Sequence, residues 1–345
     1  MQWSSEEKQM ENLCKSVNST IAFPESRDQR VFQGACYLAE NAAMKSVLLF
    51  LEEDEFDRQF SVWGHGKKIE VKRRIEFVPK AFPEIVSQTR SFLEKRAEIK
   101  GKVLDNDKLK SKSNSGLVQA GVLLRQGDID SVLAGALYTT ADVIRAALPT
   151  VGLAQGVKTL SGSFLLANEN ADIKAMIFAD CGVVIEPTAE QLVDIAYESV
   201  KTWRHLYGEE MMPYLAFLSF SSKGSAKHPS AEKMAKAWSL FKAKFPDIPS
   251  DGELQFDAAI DAEIGKRKAP SSKVCGRTNI FVFPDLGAGN IAYKISQSLG
   301  GYQAYGPILQ GLAKPYSDLS RGASVREIIV SSFINGVRSV PSSFI

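Results

Sequence analysis

Three polar stretches carry residue types suited to moving a group to or from an anion. The first, Ser219-Phe220-Ser221-Ser222-Lys223-Gly224-Ser225-Ala226-Lys227, follows an apolar run and precedes a helical pattern. Its small residues leave backbone amides open and its two lysines add positive charge, although the same composition also makes a flexible strand-to-helix connection. The second runs from an apolar segment, Asn279 to Phe283, through Pro284-Asp285-Leu286-Gly287-Ala288-Gly289-Asn290 into a helix expected at Ile291 to Ser296. A single GxG is weak evidence for a phosphate loop, and Asn290 suits a helix N-cap as well as a ligand contact. The third, Gly306 to Gly322, contains Gln310, Lys314, Ser320 and Arg321, and a polar, glycine-punctuated run of that length is more often functional than filler. After it, Ser324-Val325-Arg326-Glu327 fits a capping box. Glu327 can therefore close its own helix or act as an acid-base group.

The elements that must position these residues read as an α/β pattern, short apolar runs alternating with stretches of helical period. Strands are expected at Ser46 to Leu51, Ser131 to Ala136, Ala175 to Phe178, Leu215 to Phe220 and Asn279 to Phe283. Val31, Ala35, Leu38 and Ala39 mark one helix face, and Leu192, Ile195, Ala196 and Trp203 a second, whose start is signalled by Thr188-Ala189-Glu190-Gln191. A third helix follows Pro229, with Met234, Trp238 and Phe241 on one side, and Val330, Phe333, Ile334 and Val337 mark a last one. The segment Lys100 to Ser115, where Lys102, Lys108, Lys110 and Lys112 alternate with polar residues, reads as an exposed loop that could attract phosphates.

At 345 residues, two domains are the default expectation. The 44% hydrophobic and 24% charged residues are those of an ordinary globular protein, and 42 Lys plus Arg against 40 Asp plus Glu leave no basic excess for a dedicated nucleic-acid binder. Cys14, Cys36, Cys181 and Cys275 lack CxxC spacing and read as reduced thiols. His65, His205 and His228 are too scattered for a histidine-rich metal site. No run approaches the roughly 20 apolar residues of a membrane span, and the start lacks an apolar signal region, so a cytoplasmic protein is expected.

In this order, the stretches resemble the phosphate acetyltransferase (phosphotransacetylase) family. The resemblance runs from Phe23-Pro24-Glu25 through Thr139-Thr140-Ala141-Asp142-Val143-Ile144-Arg145, Ser219 to Lys227 and Gly252 to Ala259, to Asn279 to Asn290 and Gly306 to Gly322. It implies two α/β domains of the isocitrate/isopropylmalate dehydrogenase-like fold, residues 1–154 plus 309–345 and residues 155–308, with an interdomain cleft and a homodimer formed largely by the second. It also implies reversible acetyl transfer between acetyl phosphate and coenzyme A, which is a substrate, with no tightly bound cofactor, no metal, no nucleic acid and no membrane.

A free thiol has a pKa near about 8.5, so a nearby base assists its attack on the acyl carbonyl, and a guanidinium stabilises the charge that builds on the carbonyl oxygen and the departing phosphate. By resemblance, Arg321 has that electrostatic role, Ser320 orients the thiol and Glu327 stands where the family has a proton-accepting Asp. Arg145, Thr139, Thr140, Ser221, Lys223, Asn290, Gln310 and Lys314 are the implied substrate contacts, and Arg96, one residue out of the family spacing to Lys100-Gly101, the implied coenzyme A contact. Phosphate butyryltransferases share this plan. A metal-dependent dehydrogenase of the same fold would need a carboxylate cluster that the sequence lacks, and a non-catalytic acyl-CoA-sensing module would not need Ser320 and Arg321.

Overall fold

The computed structural model describes residues 3–64, 67–79, 82–101, 105–171 and 173–341. The chain divides into two compact units, one built from residues 7–154 and 312–340 and the other around residues 155–311. In chain order the elements are α1 (Ser5–Val17), β1 (Thr20–Phe23), α2 (Gln29–Glu40), β2 (Ser46–Leu49), α3 (Glu53–Trp63), α4 (Lys68–Lys72), β3 (Ile75–Phe77) and α5 (Pro83–Ile99). Next come α6 (Asn106–Ser113), α7 (Gly116–Gln126), β4 (Ser131–Leu133), α8 (Thr140–Thr150), β5 (Ser161–Ala167), β6 (Ala175–Ala179), α9 (Ala189–Tyr207), β7 (Leu215–Leu218) and α10 (Pro229–Lys244). The chain continues through β8 (Ser250–Leu254), α11 (Phe256–Ile260), α12 (Ala262–Lys268), β9 (Ile280–Val282), α13 (Leu286–Ser298), β10 (Gln303–Gln310), β11 (Tyr316–Ser317) and α14 (Val325–Val337).

The discontinuous unit holds a five-stranded sheet in the order β11-β4-β1-β2-β3, and every pairing in it is parallel. A parallel sheet needs both faces covered, so its central strands are mostly apolar, and Ile21, Ala22, Phe23, Val47 and Val132 are buried accordingly. Helix α14 returns to this unit and packs on α2, β1 and β4. Val330, Phe333, Ile334 and Val337 on it are all buried, each such side chain contributing about 1.5–3 kcal/mol. Its Asn335 fixes the sheet edge, donating from Nδ2 to the Val132 carbonyl at 3.0 Å and accepting from the Ser317 hydroxyl at 2.6 Å. This bridge sets β11, and with it the segment leading to Ser320.

The continuous unit holds a six-stranded sheet in the order β10-β5-β6-β9-β7-β8. Its β6-β9-β7-β8 part is parallel, whereas β10 and β5 add antiparallel at one edge. On α9, Leu192, Ile195, Ala196 and Trp203 are buried, and the Thr188/Gln191 capping box closes its start. On α10, Met234 and Phe241 are buried, while Trp238 is half-buried.

The expected loop at Lys100 to Ser115 is corrected. Residues 106–113 form α6 rather than a loop, because Asp105 caps it by accepting from the amides of Asp107 and Lys108, both at 3.0 Å. Leu109 is buried beneath it, and Lys102 lies outside the described residues. The first part of the Gly306 to Gly322 run completes β10. A register shift between Tyr305 and Ile308 accommodates Gly306-Pro307.

Candidate active site

In the discontinuous unit the site begins where β4 ends. Gly135 takes φ +103°, a conformation that favours glycine, and opens a turn whose next amides all point one way. The amides of Gly135 (2.6 Å), Ala136 (3.0 Å), Leu137 (2.7 Å) and Tyr138 (2.9 Å) donate to the carboxylate of Glu25, which follows β1 and is buried. Such a nest of amides ahead of a helix attracts an anion, and here the chain supplies its own. Glu25→Gln replaces one acceptor oxygen with a donor, leaving amides unpaired in a dry site. It is expected to lower the unfolding free energy of this unit by about 3 kcal/mol, measured by urea denaturation. A loss under about 1 kcal/mol would show that the nest does not depend on the carboxylate.

Thr139, expected to touch substrate, is the N-cap of α8: its hydroxyl accepts from the Asp142 amide at 3.2 Å, and the Asp142 carboxylate accepts from the Thr139 amide at 3.2 Å. Thr140 donates its hydroxyl to Asp318 Oδ2 at 2.5 Å. Arg145 is exposed, pairing with Asp142 at 2.8 Å and with the Ala141 carbonyl at 3.0 Å.

Beyond β11 the chain makes a compact turn. The Ser320 carbonyl accepts from the Ala323 amide at 2.8 Å and the Ser320 hydroxyl from the Gly322 amide at 3.3 Å, while Ser320 and Arg321 are exposed. Arg30 of α2 clamps the turn, donating to the carbonyls of Arg321 (2.8 Å) and Ala323 (3.0 Å), and also to that of Ala136 (3.1 Å). Asp28 braces the same guanidinium at 3.1 and 2.8 Å. Arg30 thus ties the Ser320-Arg321 turn to the Glu25 nest. Glu327, half-buried, forms the expected capping box: its Oε2 accepts from the Ser324 amide at 2.7 Å and the Ser324 hydroxyl accepts from the Glu327 amide at 3.2 Å. Asp318, two residues before Ser320, is 1% exposed, and burial, together with the nearby Glu25 charge, pushes its carboxyl up to about 7 against the Thr140 hydroxyl bond.

Two more expected contacts of this unit are engaged elsewhere. The Lys314 ammonium donates at 2.8 Å to the Leu124 carbonyl in the last turn of α7, where the helix dipole favours a cation. Arg96 reaches the Leu148 carbonyl at 3.4 Å from α5.

The remaining expected residues belong to the continuous unit. Ser221 is buried, its hydroxyl donating to Glu253 at 3.0 Å and accepting from the Ala226 amide at 3.1 Å. Lys223, at φ +50°, pairs with Asp251, donates to the Gly252 carbonyl at 2.8 Å, and lies 4.1 Å from the centre of the Trp238 ring. Asn290 is not an N-cap: Asp285 caps α13 by accepting from the Ala288 amide at 2.9 Å, and Asn290 sits a turn inside, donating to the Cys181 carbonyl at 3.1 Å. Gln310 is fully buried, bonded to Ser161, Ser199, Thr202 and the Glu198 carbonyl. Its polar atoms serve the packing of β10 on α9.

Glu25, Arg30 and Asp318, none of them assigned a site role in the sequence, therefore tie the Ser320-Arg321 turn to the segment that starts α8 at Thr139 and Thr140, while Arg145 and Glu327 follow on α8 and α14 with local partners. The signals of the first three were faint, Glu25 in the Phe23-Pro24-Glu25 stretch and Asp318 two residues before Ser320. Among the described residues no group of three or more His, Cys, Asp or Glu could hold a metal ion, and no helix is long and apolar enough to cross a membrane.

A family model described as phosphate acetyl/butaryl transferase matches residues 6–335. The chain is 38% identical over 329 residues to a phosphate acetyltransferase of Paracoccus denitrificans, covering 94% of this chain and 96% of that protein. It also superposes on a phosphotransacetylase from Streptococcus pyogenes with a TM-score of 0.86 and 34% identity, over 98% of this chain and 99% of that one. A 4-hydroxythreonine-4-phosphate dehydrogenase from Klebsiella pneumoniae, at 11% identity and a TM-score of 0.52 over 93% and 99% of the two chains, shares the fold alone. With the match spanning both units and the Ser320-Arg321 turn, the chain belongs to the phosphate acetyltransferase family.

Proposed function

We propose that this chain is a phosphate acetyltransferase that moves an acetyl group reversibly between acetyl phosphate and coenzyme A by direct attack in a ternary complex. The observation that carries the reading is the exposed Ser320-Arg321 turn, locked by Arg30 directly before the Glu327-capped start of α14. The coenzyme A thiol loses its proton to Glu327 while Ser320 orients the sulfur. The thiolate forms the new S–C bond at the acetyl carbonyl; the C–O bond to phosphate then breaks, and phosphate leaves with the electron pair. Arg321 stabilises the charge on the carbonyl oxygen and the departing phosphate. Direct transfer is supported by the state of the chain's three buried thiols. Burial pushes Cys14 up to about 12 and also raises Cys36 and Cys181, so none of the three is a ready thiolate to carry the acetyl group.

The proposed partners are coenzyme A, acetyl phosphate and a second copy of the chain in the cytoplasm. Ile291, Ile295 and Leu299, one turn apart on α13 and just beyond its end, are exposed and offer an apolar stripe for a homodimer. Thiol consumption on mixing the protein with coenzyme A and acetyl phosphate tests the activity, and a protein that consumes no thiol would refute it. Acetyl phosphate is expected to give a higher kcat/KM than butyryl phosphate, in parallel assays. The reverse order would make the chain a butyryl enzyme on the same scaffold.

A further inference from the structure

Two buried carboxyls lie on either side of the turn between β4 and α8, and they are treated very differently. Glu25 receives four amide donors. Asp318 receives one close donor, the Thr140 hydroxyl at 2.5 Å, with a smaller contribution from the Leu319 amide, and its Oδ1 is buried without a hydrogen-bond partner. That oxygen lies against Gly135, only 2.0 Å from where a Cβ would stand, so the carboxyl is wedged between Gly135 and Thr140, near the two ends of the turn that Glu25 pins in the middle. An ionised carboxylate has about four lone-pair sites to satisfy, and this pocket does not satisfy them.

We propose that Asp318 is a positioning residue of the acyl-transfer site, its carboxyl clamping the Ser320-Arg321 turn to the first turn of α8 as the neutral acid. The proposal rests on the roles of Ser320 and Arg321 given above. Asp318 lies two residues before Ser320, and Thr140 opens the helix that carries Arg145, so one hydrogen bond joins the two segments. Other groups around the carboxyl leave it in this state. The segment after β1 presents Glu25, whose charge opposes a second one; β11 itself presents Tyr316, whose phenol is bound to the Leu117 carbonyl at 2.9 Å. From α2, Arg30 spends its donors on Asp28 and on backbone carbonyls, and from α14 Arg338 reaches the Ser317 hydroxyl at 3.5 Å.

Because the folded protein holds this proton up to about pH 7 while the unfolded chain releases it near 3.8, the group's favourable contribution is complete at low pH and is lost as pH rises through about 7. Asp318→Asn keeps the shape and cannot ionise. The ratio of its kcat/KM for acetyl phosphate to that of the parent is expected to rise by about fivefold or more between pH 6 and 8.5, and its melting temperature to gain on the parent over the same interval. Thr140→Val removes the donor that favours the charged form, so the parent's transition should move to higher pH. Asp318→Ala loses the clamp and should be impaired at every pH. A ratio that stays flat in both kinetics and melting, or an Asp318→Ala enzyme equal to the parent, would overturn the proposal. If Asp318→Asn does not fold, Thr140→Val decides, because it removes the one bond of the clamp: it should be impaired at every pH, and a Thr140→Val enzyme equal to the parent refutes the clamp. An inactive parent would sink the transferase reading, while the pH dependence of melting would still report on Asp318.

Discussion

Arg321→Ala is expected to lower kcat by about 100- to 1,000-fold with acetyl phosphate, the range observed when one preorganised stabiliser of developing charge is removed. The structure makes this a clean test of charge. Arg30 holds the turn through the backbone carbonyls of Arg321 and Ala323, which remain whatever side chain stands at position 321. Arg321 is exposed, so its removal should shift stability by no more than about 0.5 kcal/mol. Arg321→Lys restores a positive charge without the planar fork that pairs two donors with one phosphate, and should recover only part of the rate. Turnover and melting temperature measured on the same preparations separate the effects. An alanine variant within threefold of the parent would remove Arg321 from the chemistry.

The parts of the fold that were legible in the sequence are those whose signal is local. The helix faces at Val31, Leu38, Leu192 and Phe333 are buried as their spacing requires, and both boxes, Thr188/Gln191 and Ser324/Glu327, close their helices. Five strands were readable as apolar runs. Others were not: β8 carries Asp251 and Glu253, and β10 is interrupted by Gly306-Pro307. The Asp105 cap that makes residues 106–113 helical was obscured by the lysine-rich composition around it.

Polar residues gave the least reliable reading because a buried network and a ligand site use the same side chains. Gln310 looks like a contact but satisfies itself on Ser161, Ser199 and Thr202, and Thr139 looks like a phosphate ligand but caps α8. Conversely, Glu25, Arg30 and Asp318 act mainly on backbone amides and carbonyls or on one remote hydroxyl. Such partners are fixed by the parallel order β11-β4-β1, which brings residues 25, 135 and 318 together at neighbouring strand ends, and that order is not a local property of the sequence.

Glu327 is the residue for which both readings meet in one side chain, and its substitutions are expected to separate them. Its carboxylate caps α14 through the Ser324 amide at 2.7 Å, seven residues after Ser320, and in the proposed reaction it also takes the proton of the coenzyme A thiol. Glu327→Gln keeps an oxygen for the Ser324 amide and removes the base. It should lose rate by about 100- to 10,000-fold, the range for a positioned acid-base group, with little change in melting temperature. Glu327→Ala removes both functions, so it should lose the same rate and also about 1 kcal/mol of stability, the usual cost of a lost cap interaction. Glu327→Asp keeps the carboxylate on a shorter arm and should retain far more activity than either. Single-turnover rates at neutral pH, read beside thermal melts of the three variants, carry the comparison. If Glu327→Gln turns over almost as fast as the parent, the carboxylate is a cap alone and the proton must leave the thiol by another route.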